Sequence, residues 1–379
     1  MKQTARIIST YTGDTSGVCS ALFELGGLVV MHDPSGCNST YSTHDEPRWY
    51  DMDSLVFISG LTEKDAIFGN DEKVISDTVR AAEELNPRFI AIAGSPIPYL
   101  TGCDLNSIAM EIENRCGIPT FGFETDGMRS YVHGASMAFA EYTKRMCLTK
   151  DKKAEFSINI LGVTPLDFSV NGSVTSMRNI FELNNINVNS IISMDSSIND
   201  IENAGCADIN LVVSSTGIEC AKILKDRFNI PYIIGTPFGS TFSKTIIESL
   251  KERRIDDSYD LIKNSSFDGN DLAIIGESIT SLSLAAAIKK ETGISAKVIS
   301  AVDTPNMIRD HCINAIYEDE IIPHIKNCRN IIADPMYKPI CPDSANFVDL
   351  PHEAFSGRIF RDQIPDLVGD IDFITSKLV

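Results

Sequence analysis

Two cysteines, Cys19 and Cys37, flank a stretch in which the chain is predicted to pass from helix to strand and into a turn. Gly26 and Gly27 end the apolar turn that Cys19 opens, because glycine costs a helix about 1 kcal/mol per residue. Cys37 leaves a Pro–Gly turn as if starting a helix, where the dipole and free N–H groups favour thiolate, the form that binds iron. The pair therefore indicates metal ligands on glycine-bearing turns. The alternative is two buried thiols that fill space, since free cysteine is among the most buried residue types.

The bulk composition narrows the function. The 379 residues predict two or three domains, and the net charge of −19 argues against a nucleic-acid partner. No apolar run approaches the roughly 18 residues that a membrane span needs, and the first ten residues lack the apolar segment of a signal peptide. We therefore expect a cytoplasmic protein with no membrane partner. None of the ten cysteines forms a Cys-x-x-Cys pair, so metal ligands would come from loops distant in sequence.

The elements that must position these residues alternate between strand and helix. In the first part of the chain, apolar runs predict strands at 28–31, 54–59, 88–93 and 117–122. Helical periodicity predicts helices at 71–85 and 104–116, with Asp104 as a cap. The segments 60–69 and 94–103 are predicted as loops. Buried strands that alternate with helices predict a parallel, doubly wound sheet.

The same pattern occurs twice more. Strands are predicted at 156–161, 189–192, 209–213 and 231–234, and later at 272–275, 297–301, 330–333 and 346–349. Helices are predicted at 173–183, 217–228 and 279–292. A charged linker at 148–153 and a polar segment at 256–270 separate the three parts. The predicted fold class is therefore α/β, with three tandem Rossmann-like domains at residues 1–150, 151–265 and 266–379.

Ligands of such sheets bind at the carboxyl ends of the strands. The residues that follow predicted strands are Cys37, Glu63, Ser95, Thr164, Ser214, Pro237, Glu277 and His352. Glu63 and Asp65 are a general acid/base pair or, alternatively, helix caps or loop salt bridges. His32 is predicted to donate a hydrogen bond beside the metal rather than to bind it. The segment 235–245 lacks the Gly-Lys pair of a P-loop, so the chain is not expected to hydrolyse ATP.

These motifs together resemble one family. The turn from His32 to Cys37 resembles the strand–His-x-Pro-x-Gly-Cys turn of nitrogenase component 1 subunits. Residues 61–69 resemble that superfamily's Leu-x-Glu-x-Asp-x-(Val/Ile)-Phe-Gly loop. Residues 221–239 and 350–357 resemble its middle-domain helix and strand and its C-terminal strand and loop. The resemblance covers nearly the whole chain in the right order, which is more specific than any single motif.

The resemblance implies a nitrogenase component 1-like fold and a role as a catalytic-component subunit. Such a subunit receives low-potential electrons from an ATP-dependent Fe–S reductase. The electrons pass through an Fe–S cluster of the [4Fe–4S] type, shared with a homologous or identical subunit in an anaerobic oligomer, to a small-molecule or tetrapyrrole substrate. One alternative is a non-enzymatic scaffold on which a metal cofactor is assembled. A second is a cluster-free binding protein.

The resemblance also assigns ligands. Cys19 and Cys37 fall on the family's first two cluster ligands, and Ser95 or its neighbour Pro96 falls on the third. Cys103 lies where the family's first aspartate usually stands. Two alternatives stay open: Cys103 reaches the cluster by a shifted route, or the chain supplies only two ligands.

The resemblance departs from nitrogenase at the active-site cofactor. The anchoring cysteine maps to Val213-Ser214 and the anchoring histidine to Pro351, one residue before His352. A genuine nitrogenase is therefore not expected. His352, on a loop predicted to face the interdomain cleft, is the candidate catalytic residue that contacts substrate, and a surface histidine is the alternative.

Overall fold

The fold consists of three consecutive parallel sheets covered by helices. A computed structural model describes residues 6–7, 13–36, 45–148, 155–253, 259–263, 265 and 269–379. In this part of the chain every strand pairing between named strands is parallel, which confirms the predicted fold class. The same part contains no helix with the length and apolar character needed to cross a membrane.

The first sheet has the strand order β2-β1-β3-β4. Its strands are β1 (Leu28–His32), β2 (Leu55–Ile58), β3 (Ile90–Gly94) and β4 (Thr120–Phe123). Its helices are α1 (Asp14–Leu22), α2 (Glu63–Phe68), α3 (Asp71–Leu85), α4 (Pro96–Thr101), α5 (Leu105–Cys116) and α6 (Tyr131–Met146). All residues of β1 and β3 are buried, because helices cover both faces of the two central strands.

Two segments predicted as loops in this unit are helices. Residues 60–69 contain α2, which begins with a reciprocal capping box between Thr62 and Asp65. Residues 94–103 contain α4, which has Pro96 in its first turn and ends at Gly102 in the left-handed conformation. Proline is tolerated in a first helical turn, so its presence there does not predict a loop. The loop predictions were therefore wrong, whereas the prediction of α3 at 71–85 is confirmed.

The second sheet has the order β6-β5-β7-β8. Its strands are β5 (Ser157–Val163), β6 (Asn187–Ser193), β7 (Ile209–Val212) and β8 (Tyr232–Ile234). Its helices are α7 (Pro165–Phe168), α8 (Ser173–Glu182), α9 (Ile198–Asn203), α10 (Ile218–Phe228) and α11 (Ser240–Lys251). Every residue of β5 is buried, so this strand forms the centre of the unit.

The third sheet has the order β11-β10-β9-β12-β13. Its strands are β9 (Leu272–Gly276), β10 (Lys297–Ser300), β11 (Ile313–Asn314), β12 (Asn330–Ala333) and β13 (Asn346–Asp349). Its helices are α12 (Ser278–Thr292), α13 (Glu318–Ile325), α14 (Glu353–Ser356) and α15 (Asp372–Thr375). The predicted domain boundaries, 150/151 and 265/266, involve residues outside the described ranges.

The closest helix contact in the first unit joins α1 to α6. A Cβ atom on Gly134 would lie 1.9 Å from the Asp14 carbonyl oxygen, and one on Gly17 would lie 2.2 Å from the Tyr131 carbonyl oxygen. The Asp14 carboxylate also accepts hydrogen bonds from the backbone N–H groups of Asp126 (3.1 Å) and Gly127 (2.7 Å). The start of α1 therefore fixes the start of α6, where Tyr131 lies.

We expect Gly134→Ala to lower the free energy of unfolding by roughly 3 kcal/mol or more, because the new methyl group cannot fit without moving two backbones. Gly13→Ala is the matched control, since its Cβ would meet its nearest atom at 3.7 Å and its φ is −75°. Urea unfolding of both variants measures the difference. Equal stabilities would contradict the contact described here.

Candidate functional site

The first predicted ligand, Cys19, lies inside a helix. It is the sixth residue of α1, fully buried among the apolar side chains under the first sheet. Burial raises the pKa of its thiol, and the nearby carboxylate of Glu46 raises it further. The expectation that Cys19 lies on a glycine-bearing turn was wrong, because α1 continues through it to Leu22. Its surroundings match the alternative of a thiol that fills space.

The direction of α1 carries Cys19 away from the carboxyl edge of the sheet. Thr15, one turn before Cys19, donates a hydrogen bond from Oγ1 to the carbonyl oxygen of Gly94, the last residue of β3 (2.6 Å). Four further residues of helix advance the chain by about 6 Å. Since α1 starts at the carboxyl edge and leads into the first residue of β1, Cys19 lies below that edge.

Cys103 lies on the opposite face of the same sheet. It packs against the group of apolar residues that includes Leu28 and Val30, whereas Cys19 packs against the group that includes Val29 and Met31. Successive strand residues point to opposite faces, so the two thiols are separated by the sheet. Burial raises the pKa of Cys103 to about 11. The structure therefore does not bring Cys19 and Cys103 together.

Cys103 does lie near the carboxyl edge of the sheet, beside His32 and Asp65. It lines a surface cavity together with His32, and its Sγ is 4.0 Å from Asp71 Oδ1. The Nδ1 atom of His32 is 2.8 Å from Ser59 Oγ, and burial lowers the pKa of His32. Asp65 accepts hydrogen bonds from Thr62, which lower its pKa and confirm the helix-cap alternative for this carboxylate.

Ser95 is the predicted ligand whose surroundings suit an additional group. It follows β3 directly and is fully buried, and its hydroxyl has no hydrogen-bond partner in the described part of the chain. A buried hydroxyl without a partner is costly unless something else binds it.

Cys37 lies outside the described residues. Among those that are described, no three His, Cys, Asp or Glu side chains are close enough to hold a metal ion.

A second candidate site is a cavity of about 60 Å³ between the second and third sheets. Three of its lining residues follow strands: Asp167 follows β5, Glu277 follows β9 and His352 follows β13. The carboxyl ends of strands from two sheets therefore contribute to one cavity, as the position of ligand sites in such sheets predicts. Glu277 and His352 were among the predicted residues, and Asp167 was not.

His352 lines this cavity, and its two ring nitrogens have different surroundings. Its Nδ1 accepts a hydrogen bond from the backbone N–H of Ala354 (3.2 Å), so the proton of the neutral ring is assigned to Nε2. Nε2 has no hydrogen-bond partner among the described residues and lies 3.8 Å from Asp167 Oδ1. Burial lowers the pKa of His352 to about 4. With a side chain only 15% exposed, His352 is not a surface histidine.

Asp167 joins the three units of the chain. Tyr131, from α6 of the first unit, donates its hydroxyl hydrogen to Asp167 Oδ1 (2.5 Å), and Thr164 donates to Oδ2 (2.9 Å). His352 approaches from the third unit. Burial and then the negative charge of Glu277 raise the pKa of Asp167 to about 7. Asp167 was not among the predicted site residues, although the spacing of Thr164 and Asp167 after a strand is that of a helix cap.

Glu277 is held differently, as a saturated acceptor. It is the N-cap of α12 and accepts hydrogen bonds from the backbone N–H groups of Ile279 (3.0 Å) and Thr280 (2.9 Å). The hydroxyls of Ser215, Ser278 and Thr280 also donate to it. Its negative charge acts on Asp167, whose pKa it raises. Glu277 therefore supplies fixed negative charge to the cavity.

A buried ion pair fixes the segment that carries His352. Arg361 pairs with Glu353, the residue after His352 (Nη2 to Oε1, 2.6 Å), and also donates to the carbonyl oxygen of Asp45 (2.7 Å). The Glu353 carboxylate accepts a further hydrogen bond from the hydroxyl of Ser169 (3.0 Å). The segment that carries His352 is thus fixed by contacts that reach both the first and second units.

The sequence matches one protein family over most of its length. Residues 17–307 match the family described as nitrogenase component 1 type oxidoreductase. The chain belongs to this family. The matched region includes the carboxyl edge of the first sheet as well as Asp167 and Glu277. The match confirms the resemblance inferred from the motifs. Members of this oxidoreductase family bind Fe–S clusters and work with an ATP-dependent iron protein.

Individual relatives of this nitrogenase component 1 chain have several roles. It is 25% identical over 217 residues to the nitrogenase molybdenum-iron protein alpha chain of Clostridium pasteurianum, covering 54% of this chain and 40% of the relative. It is 26% identical over 210 residues to the nitrogenase iron-molybdenum cofactor biosynthesis protein NifE of Sinorhizobium fredii, covering 54% and 42%. It is 26% identical over 231 residues to a light-independent protochlorophyllide reductase subunit from Prosthecochloris aestuarii, covering 59% and 42%. The chain thus matches less than half the length of these relatives.

The fold itself matches over more of the chain. A solved structure of nitrogenase Cp1 at pH 6.5 superposes with a TM-score of 0.60 and 19% sequence identity, covering 92% of this chain and 70% of that chain. This similarity confirms the nitrogenase component 1-like fold.

The pH dependence of stability tests the protonation of Asp167. Its pKa is about 7 in the fold and 3.8 ordinarily, so between these values the folded chain holds a proton that the unfolded chain has lost, and stability falls as pH rises. The total effect is about 4 kcal/mol. His352 has the opposite slope below pH 6.5, since its pKa is lowered. We therefore expect Asp167→Asn to gain stability relative to wild type from pH 5 to pH 7. A pH-independent difference in urea unfolding would contradict this assignment.

Proposed function

We propose that this chain is a catalytic-component subunit of a nitrogenase-like reductase. It receives low-potential electrons from an ATP-dependent Fe–S reductase at the carboxyl edge of the first sheet. It passes them, through an Fe–S cluster shared with a homologous or identical subunit, to a substrate in the cavity beside His352. The observation that carries this proposal is an exposed apolar surface on α2 and α4, at the same edge as the Ser95 hydroxyl that lacks a partner among the described residues.

This surface, which we call the docking patch, is formed by Ile67, Phe68, Ile97, Tyr99 and Leu100. Phe68 is 81% exposed, Leu100 is 74% exposed and Ile67 is 67% exposed. Helices α2 and α4 contact each other, and each carries part of this exposed apolar surface. Clustered exposed apolar side chains mark interaction sites, and aromatic residues are frequent in the centres of such sites.

The charge around the docking patch favours a basic partner. Glu63, Asp71 and Asp104 lie on the segments that bound it, and the chain carries a net charge of −19. Complementary charge speeds association and aligns the partner. An iron protein-type reductase with a basic docking face would therefore bind directly above the carboxyl ends of β1 and β3 and deliver its electrons there.

Ser95 would bind the cluster at this edge, with Cys103 as the alternative thiol, and Cys37, which lies outside the described residues, would be the further ligand. Ser95 supports this assignment because its buried hydroxyl lacks a partner among the described residues. Cys19 is left out because it lies within α1, below the edge. When bound, a [4Fe–4S] cluster supplies one electron at a time at low potential. The second subunit would provide the remaining ligands, which makes the working unit an oxygen-sensitive oligomer.

Metal analysis of anaerobically purified protein tests the ligand assignment. We expect about four irons per dimer, with matching acid-labile sulfide and an EPR signal after dithionite reduction. Cys37→Ala should lose most of the iron. If Cys103→Ala also loses iron, this chain supplies two thiolates, and if Cys103→Ala retains it, the chain supplies one. Cys19→Ala and the matched control Cys328→Ala, a buried thiol of the third unit, should retain it. Wild-type protein without iron after anaerobic reconstitution would refute the cluster.

The docking patch is tested by its most exposed side chain. We expect Phe68→Ala to weaken binding of the iron protein-type reductase, and ATP-dependent electron transfer from it, by about tenfold or more, as for a central interface aromatic. Leu183→Ala is the matched control, since Leu183 is 83% exposed on the second unit, away from the patch. Cross-linking and stopped-flow absorbance measure the two effects. Equal behaviour of both variants would place the docking site elsewhere.

The scaffold function is the second candidate because NifE, a cofactor biosynthesis protein, is among the relatives. A scaffold would release its metal cluster to an acceptor protein, whereas a reductase would keep its cluster and turn over substrate. Iron retention during electron transfer from the reductase separates the two.

A further inference from the structure

We propose that the outer edge of β4 binds an extended segment of a partner protein that carries basic side chains. The segment would add a fifth strand to the four-stranded first sheet and lie in a groove between α5 and α6. The residues that line this groove and those of the docking patch are separate sets, so this partner is additional to the reductase. The proposal goes beyond the proposed function and depends on neither a cluster nor electron transfer.

The strand β4 is the last of its sheet, so one of its sides has no neighbouring strand in the described part of the chain. On its other side, the Ile90 N–H donates to the carbonyl oxygen of Pro119 (2.9 Å), which turns the backbone polar groups of the odd-numbered residues toward β3. Backbone groups alternate in direction along a strand. Those of Thr120 and Gly122 therefore point away from the sheet.

Side chains cover the first of these two outward positions and leave the second open. The Thr120 N–H donates to Glu113 Oε2 (3.0 Å), and the Thr120 carbonyl oxygen accepts from Arg145 Nη1 (3.0 Å). No described residue donates to or accepts from the N–H and C=O of Gly122, which is partly exposed and lines the groove. Unpaired backbone groups at a sheet edge are a template for another strand.

The walls of the groove carry apolar and negatively charged side chains. Met110 from α5 is 63% exposed, and Met137 from α6 lies partly buried on the opposite wall. Flexible methionine side chains adapt to apolar groups of different shapes. Glu124 accepts a hydrogen bond from the Asn106 amide (2.8 Å) and has no cationic partner among the described residues. Glu141 adds a second exposed carboxylate from α6.

These charges favour a basic occupant. Glu113, Glu124 and Glu141 line the groove with Arg145 as the cation among them, so the lining is negative. A basic segment gains attraction from this charge, whereas a second copy of the chain, with a net charge of −19, is repelled. An extended segment can pair its backbone with Gly122 and direct alternate side chains to the two walls.

Fluorescence anisotropy with two labelled peptides tests the proposal on the full chain. The basic probe is Lys-Val-Lys-Val-Lys-Val, and the acidic probe is Glu-Val-Glu-Val-Glu-Val. We expect the basic probe to bind about tenfold more tightly or better, with an affinity that falls as salt screens the charges. N-methylation of its backbone should weaken binding by about tenfold, because a strand needs its N–H donors. Equal binding of the N-methylated probe would overturn the proposal, since charge alone would then explain the affinity.

A charge reversal locates the binding. Glu124→Lys should weaken binding of the basic probe by about tenfold, because it places a positive charge in the groove. Glu84→Lys is the matched control, since Glu84 is an exposed carboxylate of α3 outside the groove. Equal weakening by both variants would show that the probe senses only the overall charge, and the edge of β4 would not be its site.

Two further measurements separate this site from other occupants and from the docking patch. In sedimentation, an oligomer that Glu124→Lys dissociates would place a second copy in the groove and overturn the proposal. Phe68→Ala should leave binding of the basic probe unchanged, because Phe68 does not line the groove. Loss of probe binding in Phe68→Ala would assign the basic segment to the docking patch instead. Since no reductase is present, these outcomes do not depend on the proposed electron transfer.

Discussion

The close contact between α1 and α6 is the constraint on which the rest of the first unit depends. Two glycines, Gly17 and Gly134, let the two backbones approach within distances that any side chain would prevent. The contact fixes the first turn of α6, and Tyr131 in that turn reaches out of its own unit to Asp167. A packing requirement in the first unit therefore determines the hydrogen bonding of a carboxyl group in the second.

The fold was predictable because its signals are local and repeated. Apolar runs separated by periodic helices give three parallel sheets, and Asp104 caps its helix as its position before α5 predicts. The errors have identifiable causes. Prolines at 96 and 98 were interpreted as loop residues although proline is tolerated in a first helical turn, and Gly26-Gly27 was taken as the end of a short turn although α1 begins well before Cys19.

The candidate site was only partly predictable, because its chemistry depends on contacts between distant segments. His352 and Glu277 could be identified from their positions after strands. Asp167 could not be singled out, since its raised pKa results from burial by three units and from the charge of Glu277, more than a hundred residues away. Similarly, Cys19 and Cys103 are both plausible ligands in a linear sequence, and the sheet that separates them is visible only in three dimensions.

Asp167 lies where the three units meet, so its protonation depends on whether the cleft between the second and third sheets is closed. Any opening that admits a molecule between the second and third sheets also admits water, and hydration of Asp167 removes the burial that raises its pKa. The open form would then release the proton, and the closed form would capture one. Closure of the cleft would thus protonate Asp167. Proton uptake would then report whether the three units have closed around a bound molecule.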